Sequence, residues 1–173
     1  MTGANPEPGP VIRRAVAGDA PAIVGLRDAA ARWLLNRGIQ QWRPGEVAVD
    51  DVLGWLATGR VYVASTGGAL VGSVRLAWED LAVWGERPAD AGYIQALVTA
   101  RGASGQGLGR QLLAHTEQVI ARSSRPLARL SCRRGNAGLE TFYATAGYVE
   151  VGSRTFEDRA DWEPVTLREK ELS

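Results

Sequence analysis

The chain has 173 residues, 45% hydrophobic and 23% charged, a globular composition sufficient for one domain with a sizeable core. Its formal net charge is +1, so it carries neither the basic surplus of a nucleic-acid binder nor an acidic, disorder-prone tail. No apolar run approaches the ~20 residues of a membrane-spanning helix, and no membrane partner is expected.

Residues 1–10 are small, polar and proline-rich, without the cationic start and apolar stretch of a signal peptide. They are expected to form a flexible N-terminus ahead of a domain over 11–173, in a soluble, cytoplasmic protein. Val11 to Val16 reads as a strand. Asp19 is placed to cap a helix with Pro21 in its first turn, where the missing N–H costs nothing. Ile23, Leu26, Ala30, Trp33 and Leu34 recur at three- and four-residue steps and give that helix one apolar stripe; Gly38 ends it. A loop, Ile39 to Val49, carries Gln40, Gln41 and Trp42. Asp50 or Asp51 then caps a short helix holding Val52, Leu53, Trp55 and Leu56, closed by Gly59.

Two strand-like runs follow, Arg60 to Ser65 and Leu70 to Trp78, with Thr66-Gly67-Gly68 supplying the positive φ angles of a tight hairpin. Glu79 to Ala91 reads as a long loop. Tyr93 to Thr99 is apolar on both faces, as a central strand is. A glycine-rich loop, Arg101 to Gly109, leads into a helix from about Gly107 to Arg122, with Leu108, Leu112, Thr116, Val119 and Ile120 as its buried stripe. Leu127 to Cys132 is a strand, Asn136 to Thr145 a helix ended by Gly147, and Tyr148 to Phe156 and Pro164 to Glu169 complete the strands. The order β-α-α-β-β-β-α-β-α-β-β is that of a mixed α/β domain.

Cys132 and His115 are the only cysteine and histidine. They exclude an intrachain disulfide, a cysteine-based zinc site and a histidine cluster. His115 is expected to be packed, and Cys132 to be a buried inert thiol. Lys170 is the only lysine among 20 cationic residues, a bias that points to a GC-rich bacterial genome.

Ser104-Gly105-Gln106-Gly107-Leu108-Gly109-Arg110 lies between a strand and a helix. A helix start offers unpaired N–H groups and the positive end of the macrodipole, and glycines let a ligand approach the backbone, so this is an anion site. The lysine and hydroxyl of a nucleotide-binding P-loop are missing after Gly107, where Leu108 and Gly109 stand. Arg110 occupies the place of the last glycine in a dinucleotide fingerprint, and the loop does not follow the first strand.

Over Tyr93 to Tyr148 the sequence resembles the GCN5-related N-acetyltransferase (GNAT) family. The resemblance rests on Gly105, Gly107 and Gly109 at the start of a helix, Asn136 after the next strand, and Phe142-Tyr143 before Gly147-Tyr148. The element order matches over nearly the whole chain. Ser104 departs from the family's Gln or Arg, which removes a side chain and leaves the backbone donors. The resemblance implies a GNAT-like fold, with a central, mostly antiparallel sheet and a splayed strand pair. It implies acetyl-CoA (coenzyme A) as cofactor and a small-molecule or peptide amine as acceptor, in a monomer or homodimer. Backbone from Ser104, Gly105, Gln106, Gly107, Leu108, Gly109 and Arg110 would hold the pyrophosphate. Leu97, Val98 and Thr99 would pair with the pantetheine amides, and Asn136 would add a hydrogen bond. Tyr143 would protonate the departing sulfur.

The central strand carries no carboxylate, so a water relay is expected to remove the amine's proton, with Glu79, Asp80 and Asp90 as the candidate carboxylates. Trp33 and Trp55 are expected in the core. Trp42, Trp78 and Trp84 fall in or beside loops that would border the acceptor. Transfer from another acyl-CoA, such as succinyl-CoA, and a catalytically inactive CoA-binding regulatory module are the alternatives.

Overall fold

The computed structural model of the protein describes residues 9–173, so most of the segment expected to be a flexible terminus lies outside the described residues. Strand β1 (Val11–Arg14) leads into a 3-10 turn and helix α1 (Ala20–Leu35). Asp19 does not cap α1 as expected: its carboxylate accepts from the Val16 N–H at 2.8 Å and pairs with Arg13 at 2.7 Å. It thereby closes the preceding turn, whose own N–H needs a partner. The same reach-back starts helix α2 (Val49–Thr58), where Asp51 accepts from the Ala48 N–H at 2.7 Å. Carboxylates three residues into a turn serve the N-terminal donors as a cap does.

Strands β2 (Arg60–Thr66) and β3 (Ala69–Ala77) form the expected hairpin. The next segment is not all loop, because the Asp80 side chain caps a single helical turn, α3 (Leu81–Trp84), by accepting from the Val83 N–H at 3.2 Å. After it come β4 (Ala91–Thr99), α4 (Leu108–Arg122), β5 (Leu127–Arg133), α5 (Ala137–Thr145), β6 (Val149–Arg154) and β7 (Val165–Glu171). The seven strands lie in the order β1-β2-β3-β4-β5-β7-β6. Among the described strands, only β4 and β5 run parallel.

Strand alternation divides the core between the two faces of the sheet. Tyr62, Val74, Leu76, Ile94 and Leu130 pack with Leu108, Leu112 and Ile120 of α4. Val61 and Val63 pack with Ile23 of α1 and Val52 of α2. Contact between α4 and the sheet is close at Gly92, where an added Cβ would stand 2.5 Å from Ile120 Cγ1.

The parallel pair is short. β4 and β5 are in register only from Ala91–Leu127 to Ile94–Leu130. Beyond that, β4 stays with β3 as far as Thr99–Gly72, while β5 stays with β7 as far as Arg133–Val165. The two strands therefore splay, leaving one edge of β4 unpaired past Ile94. A β-bulge sits at the fork: the β3–β4 register slips between Ser73 and Arg75, and Ala96 takes φ 53°. An extra residue on one strand bends it and sharpens its twist.

Candidate functional site

The splay opens into a cavity of about 780 Å³, within the size range of small-molecule and cofactor sites. Its walls are the free end of β4, the glycine loop, the start of α5, and the end of α1 with the loop that follows.

Leu97, Val98 and Thr99 line the cavity from β4. An unpaired strand edge carries N–H and C=O groups that an extended ligand can satisfy as an added strand does. Among the loop residues, Ser104, Gly105, Gly107, Leu108, Gly109 and Arg110 also line it, whereas Gln106 is exposed on the loop and outside the lining. The Ser104 N–H is already spent on the Arg101 carbonyl at 3.1 Å. The N–H groups of Gly105, Gln106 and Gly107 donate to no protein acceptor among the described residues, and those of Leu108, Gly109 and Arg110 belong to the first turn of α4, which has no intrahelical partners. Gly107 adopts φ 73°, and an added Cβ at Gly105 or Gly107 would meet nothing within 4 Å. The cradle is open, fits an anion by its donor set, and suits the pyrophosphate of coenzyme A.

Arg110 is held elsewhere. Its guanidinium donates to the Thr145 carbonyl at 3.0 Å and to the Thr145 hydroxyl, and lies 5.3 Å from the Phe142 ring centre. The side chain ties α4 to the end of α5, leaving its backbone N–H for the loop.

Asn136 is the N-cap of α5. Its Oδ1 accepts from the Leu139 N–H at 3.2 Å, and its Nδ2 donates to Gln41 Oε1 at 3.3 Å. Its capacity toward a ligand is therefore that of a donor. Gln41 belongs to the loop after α1, which is pinned from below: Asp28 accepts from the Gly45 N–H at 2.9 Å, and Arg27 stacks 4.4 Å from the Trp42 ring centre. The Gln41–Asn136 contact spans two walls of the cavity, and the sequence offered no signal for it beyond Gln41 lying in a loop.

Tyr143 lines the cavity and is 8% exposed. Phe142 and Tyr148 pack edge-on against it, with ring centres at 5.1 and 6.0 Å. Burial, with a further contribution from Cys132, raises its phenol pKa, so the group is neutral and a donor. Its hydroxyl makes no hydrogen bond to the protein among the described residues, so it anchors nothing there.

The tryptophans divide differently from expectation. Trp42 lines the cavity. Trp78 does not, because it stacks with Arg125 at 4.6 Å. Trp84 is buried at 4% exposure against Tyr93, closing the sheet's other face. Trp33, expected in the core, is a cavity wall flanked by Arg37 at 3.8 Å and Arg101 at 4.3 Å. Its helical spacing matches the apolar stripe, but the residue is only partly buried and lines the cavity.

Of the candidate carboxylates, Glu79 is exposed, and Asp90 is committed to Arg129 at 3.0 Å. Asp80 is half-buried and accepts from Gln95 Nε2 at 2.8 Å. His115 is packed edge-on against Tyr62 at 4.7 Å, with its pKa lowered by burial and then by Arg122. Cys132 is buried, and burial raises its thiol pKa. No three potential metal ligands cluster among the described residues, and no described helix is long and apolar enough to cross a membrane.

Known proteins share this family and fold. The profile of the acetyltransferase (GNAT) domain matches residues 57–150. The uncharacterized N-acetyltransferase YesJ of Bacillus subtilis is 32% identical over 168 residues, 92% of this chain and 88% of that protein. A GNAT-family acetyltransferase from Listeria monocytogenes superposes with a TM-score of 0.76 at 26% identity, over 94% of this chain and 95% of the other. The yncA protein of Salmonella typhimurium, solved with its cofactor acetyl-CoA, superposes with a TM-score of 0.72 at 19% identity, over 96% and 95%.

Proposed function

Since the chain belongs to the GNAT acetyltransferase family, we propose that it moves an acetyl group from acetyl-CoA to the primary amine of a small molecule or peptide. The observation that carries this is the convergence of the unpaired β4 edge, the glycine loop and Tyr143 on one cavity. Acetyl-CoA supplies the acyl group as a thioester whose carbonyl carbon a neutral amine attacks, the C–S bond breaking as the amide forms.

The residues divide that work. N–H groups of the loop from Gly105 to Arg110 hold the pyrophosphate at the positive end of α4. Leu97, Val98 and Thr99 pair with the pantetheine amides, and Asn136 Nδ2 donates once Gln41 gives way. Trp42 contributes a wall of the cavity. Tyr143 donates its phenolic proton to the departing sulfur. Its burial suits that step, since a raised pKa keeps the proton in place until negative charge builds on its partner. The amine loses its own proton through water, and the carboxylate nearest the fork is Asp80, hydrogen-bonded to Gln95.

The test is release of free coenzyme A thiol with a panel of amines, alongside calorimetry of coenzyme A binding. Binding together with amine-dependent thiol release supports the assignment. Binding without turnover on any amine leaves a regulatory CoA-binding module and overturns it.

A further inference from the structure

The sheet face opposite α4 holds a polar cluster of which the transfer chemistry above uses only Asp80. Gln95 is the first residue of β4 beyond the last β4–β5 pair, at the fork of the splay. Its amide donates to Asp80. Arg75 stands opposite Gln95 in the β3–β4 register and stacks 5.1 Å from the Trp55 ring centre. Arg154 enters from β6, with its Nη1 3.7 Å from where a Cβ on Gly85 would stand, at the end of α3. Both guanidiniums act electrostatically on Asp80. Neither forms an ion pair with any carboxylate among the described residues. Arg75 Nε is buried and has no hydrogen-bond partner among the described residues.

Arg129 of β5 shows how the same fold neutralises a buried guanidinium with its own residues. It donates to Glu169 at 2.7 Å, to Asp90 at 3.0 Å and to the Tyr93 hydroxyl at 3.1 Å. Arg75 and Arg154 receive no such treatment, although burial penalises the charge on Arg75. Two half-buried cations that share the one carboxylate of Asp80 and form an ion pair with neither it nor another are costly to keep, and a planar guanidinium fork matches an oxyanion group.

The geometry points to an acceptor that is itself zwitterionic: a small amine with an anionic oxyacid group beside it, an amino acid being the simplest form. Its anionic group lies on Arg75 and Arg154, and its ammonium faces Asp80 at the fork. The same two cations disfavour polyamines by like-charge repulsion. This inference rests on the acetyltransferase reading above and names its substrate class.

The experiment measures thiol release with matched acceptors: amino acids, their amides, their decarboxylated amines, and aminophosphonic analogues. Loss of a charged hydrogen-bond partner predicts kcat/KM ~10- to 100-fold higher for the anionic members than for the neutral ones. Arg75→Gln and Arg154→Gln are expected to raise the acceptor KM and erase that preference, with the KM for acetyl-CoA retained. The carboxylate and phosphonate arms identify which oxyacid is read. Equal or faster turnover of the amides and decarboxylated amines by the unaltered protein overturns the inference while leaving the acetyltransferase reading intact. No turnover in any arm, with coenzyme A bound, overturns both.

Discussion

Gln95 Nε2 donates to Asp80 Oδ2 over 2.8 Å, joining the last sheet-paired stretch of β4 to the cap of α3. Burial raises the Asp80 pKa, and the hydrogen bonds from Gln95 and Val83 only partly oppose it. Folded Asp80 therefore holds a proton more tightly than it does in the unfolded chain. The stabilisation from that proton is complete below the unfolded pKa and is lost as pH rises through the raised folded value. Asp80→Asn, which cannot ionise, lacks this dependence. The melting temperature of the variant minus that of the unaltered protein should rise as pH increases from about 4, the ordinary carboxylate range, toward neutrality. A difference flat across that range would show that Asp80 titrates normally.

Activity separates Asp80 from its neighbour. Glu79 is exposed, and Glu79→Gln should leave kcat/KM unchanged within a factor of about two, as surface changes away from such features do. Asp80→Asn should lower kcat/KM for the acceptor by ~10- to 100-fold, near the lower range for loss of a group that accepts a proton, and shift the acid limb of the pH–rate profile. The KM for acetyl-CoA should hold. Profiles that superpose would return proton removal to water alone.

Tyr143 packs against Phe142 and Tyr148 through its ring, while its hydroxyl has no protein partner among the described residues. Tyr143→Phe accordingly keeps the packing and deletes only the donor. Affinity for coenzyme A should change little, because the hydroxyl matters most once charge develops on sulfur. Turnover should fall by ~10² or more, the scale of a positioned acid. An acyl donor with a less basic leaving thiol should recover part of the loss. An unchanged rate with chemistry shown to be rate-limiting would remove the acid role.

Most of the fold was legible because each element carries a local signal: the Gly67-Gly68 hairpin, the stripe of α4, the continuous apolar run of β4. The single turn of α3 was not, since four residues are too short to show a period. Neither was the bulge, because Ala96 is an ordinary strand residue whose φ of 53° is imposed by the mismatch between β3 and β4. At the site, candidates marked by a contiguous segment could be found, and Gly105, Gly107, Gly109 and Tyr143 do line the cavity. Partnerships across the chain could not. Asn136 with Gln41, and Trp33 with Arg101, join positions that only the closed fold brings together. Trp78 and Trp84 misled for the same reason: loop position gave proximity to the fork, while Arg125 and Tyr93 decided which way each ring is used.

The glycine loop admits the sharpest test of the cofactor assignment. Gly107 immediately precedes α4 with φ 73° and open space where a Cβ would be. The fold itself does not crowd this position, so a side chain here faces two penalties of different kinds. One is backbone strain, of order 1–3 kcal/mol for a left-handed non-glycine residue, which the melting temperature reports. The other is occupation of the space in front of the loop N–H groups, which a ligand titration reports. Gly107→Ala meets mainly the first and Gly107→Leu meets both. Calorimetry should therefore find coenzyme A affinity largely retained in the alanine variant and lost in the leucine variant, with similar melting temperatures for the two. Truncated donors refine the reading: pantetheine, which lacks the pyrophosphate, should bind both variants as it binds the unaltered protein. If the folded Gly107→Leu protein binds coenzyme A with unchanged affinity, the pyrophosphate is held somewhere other than the start of α4.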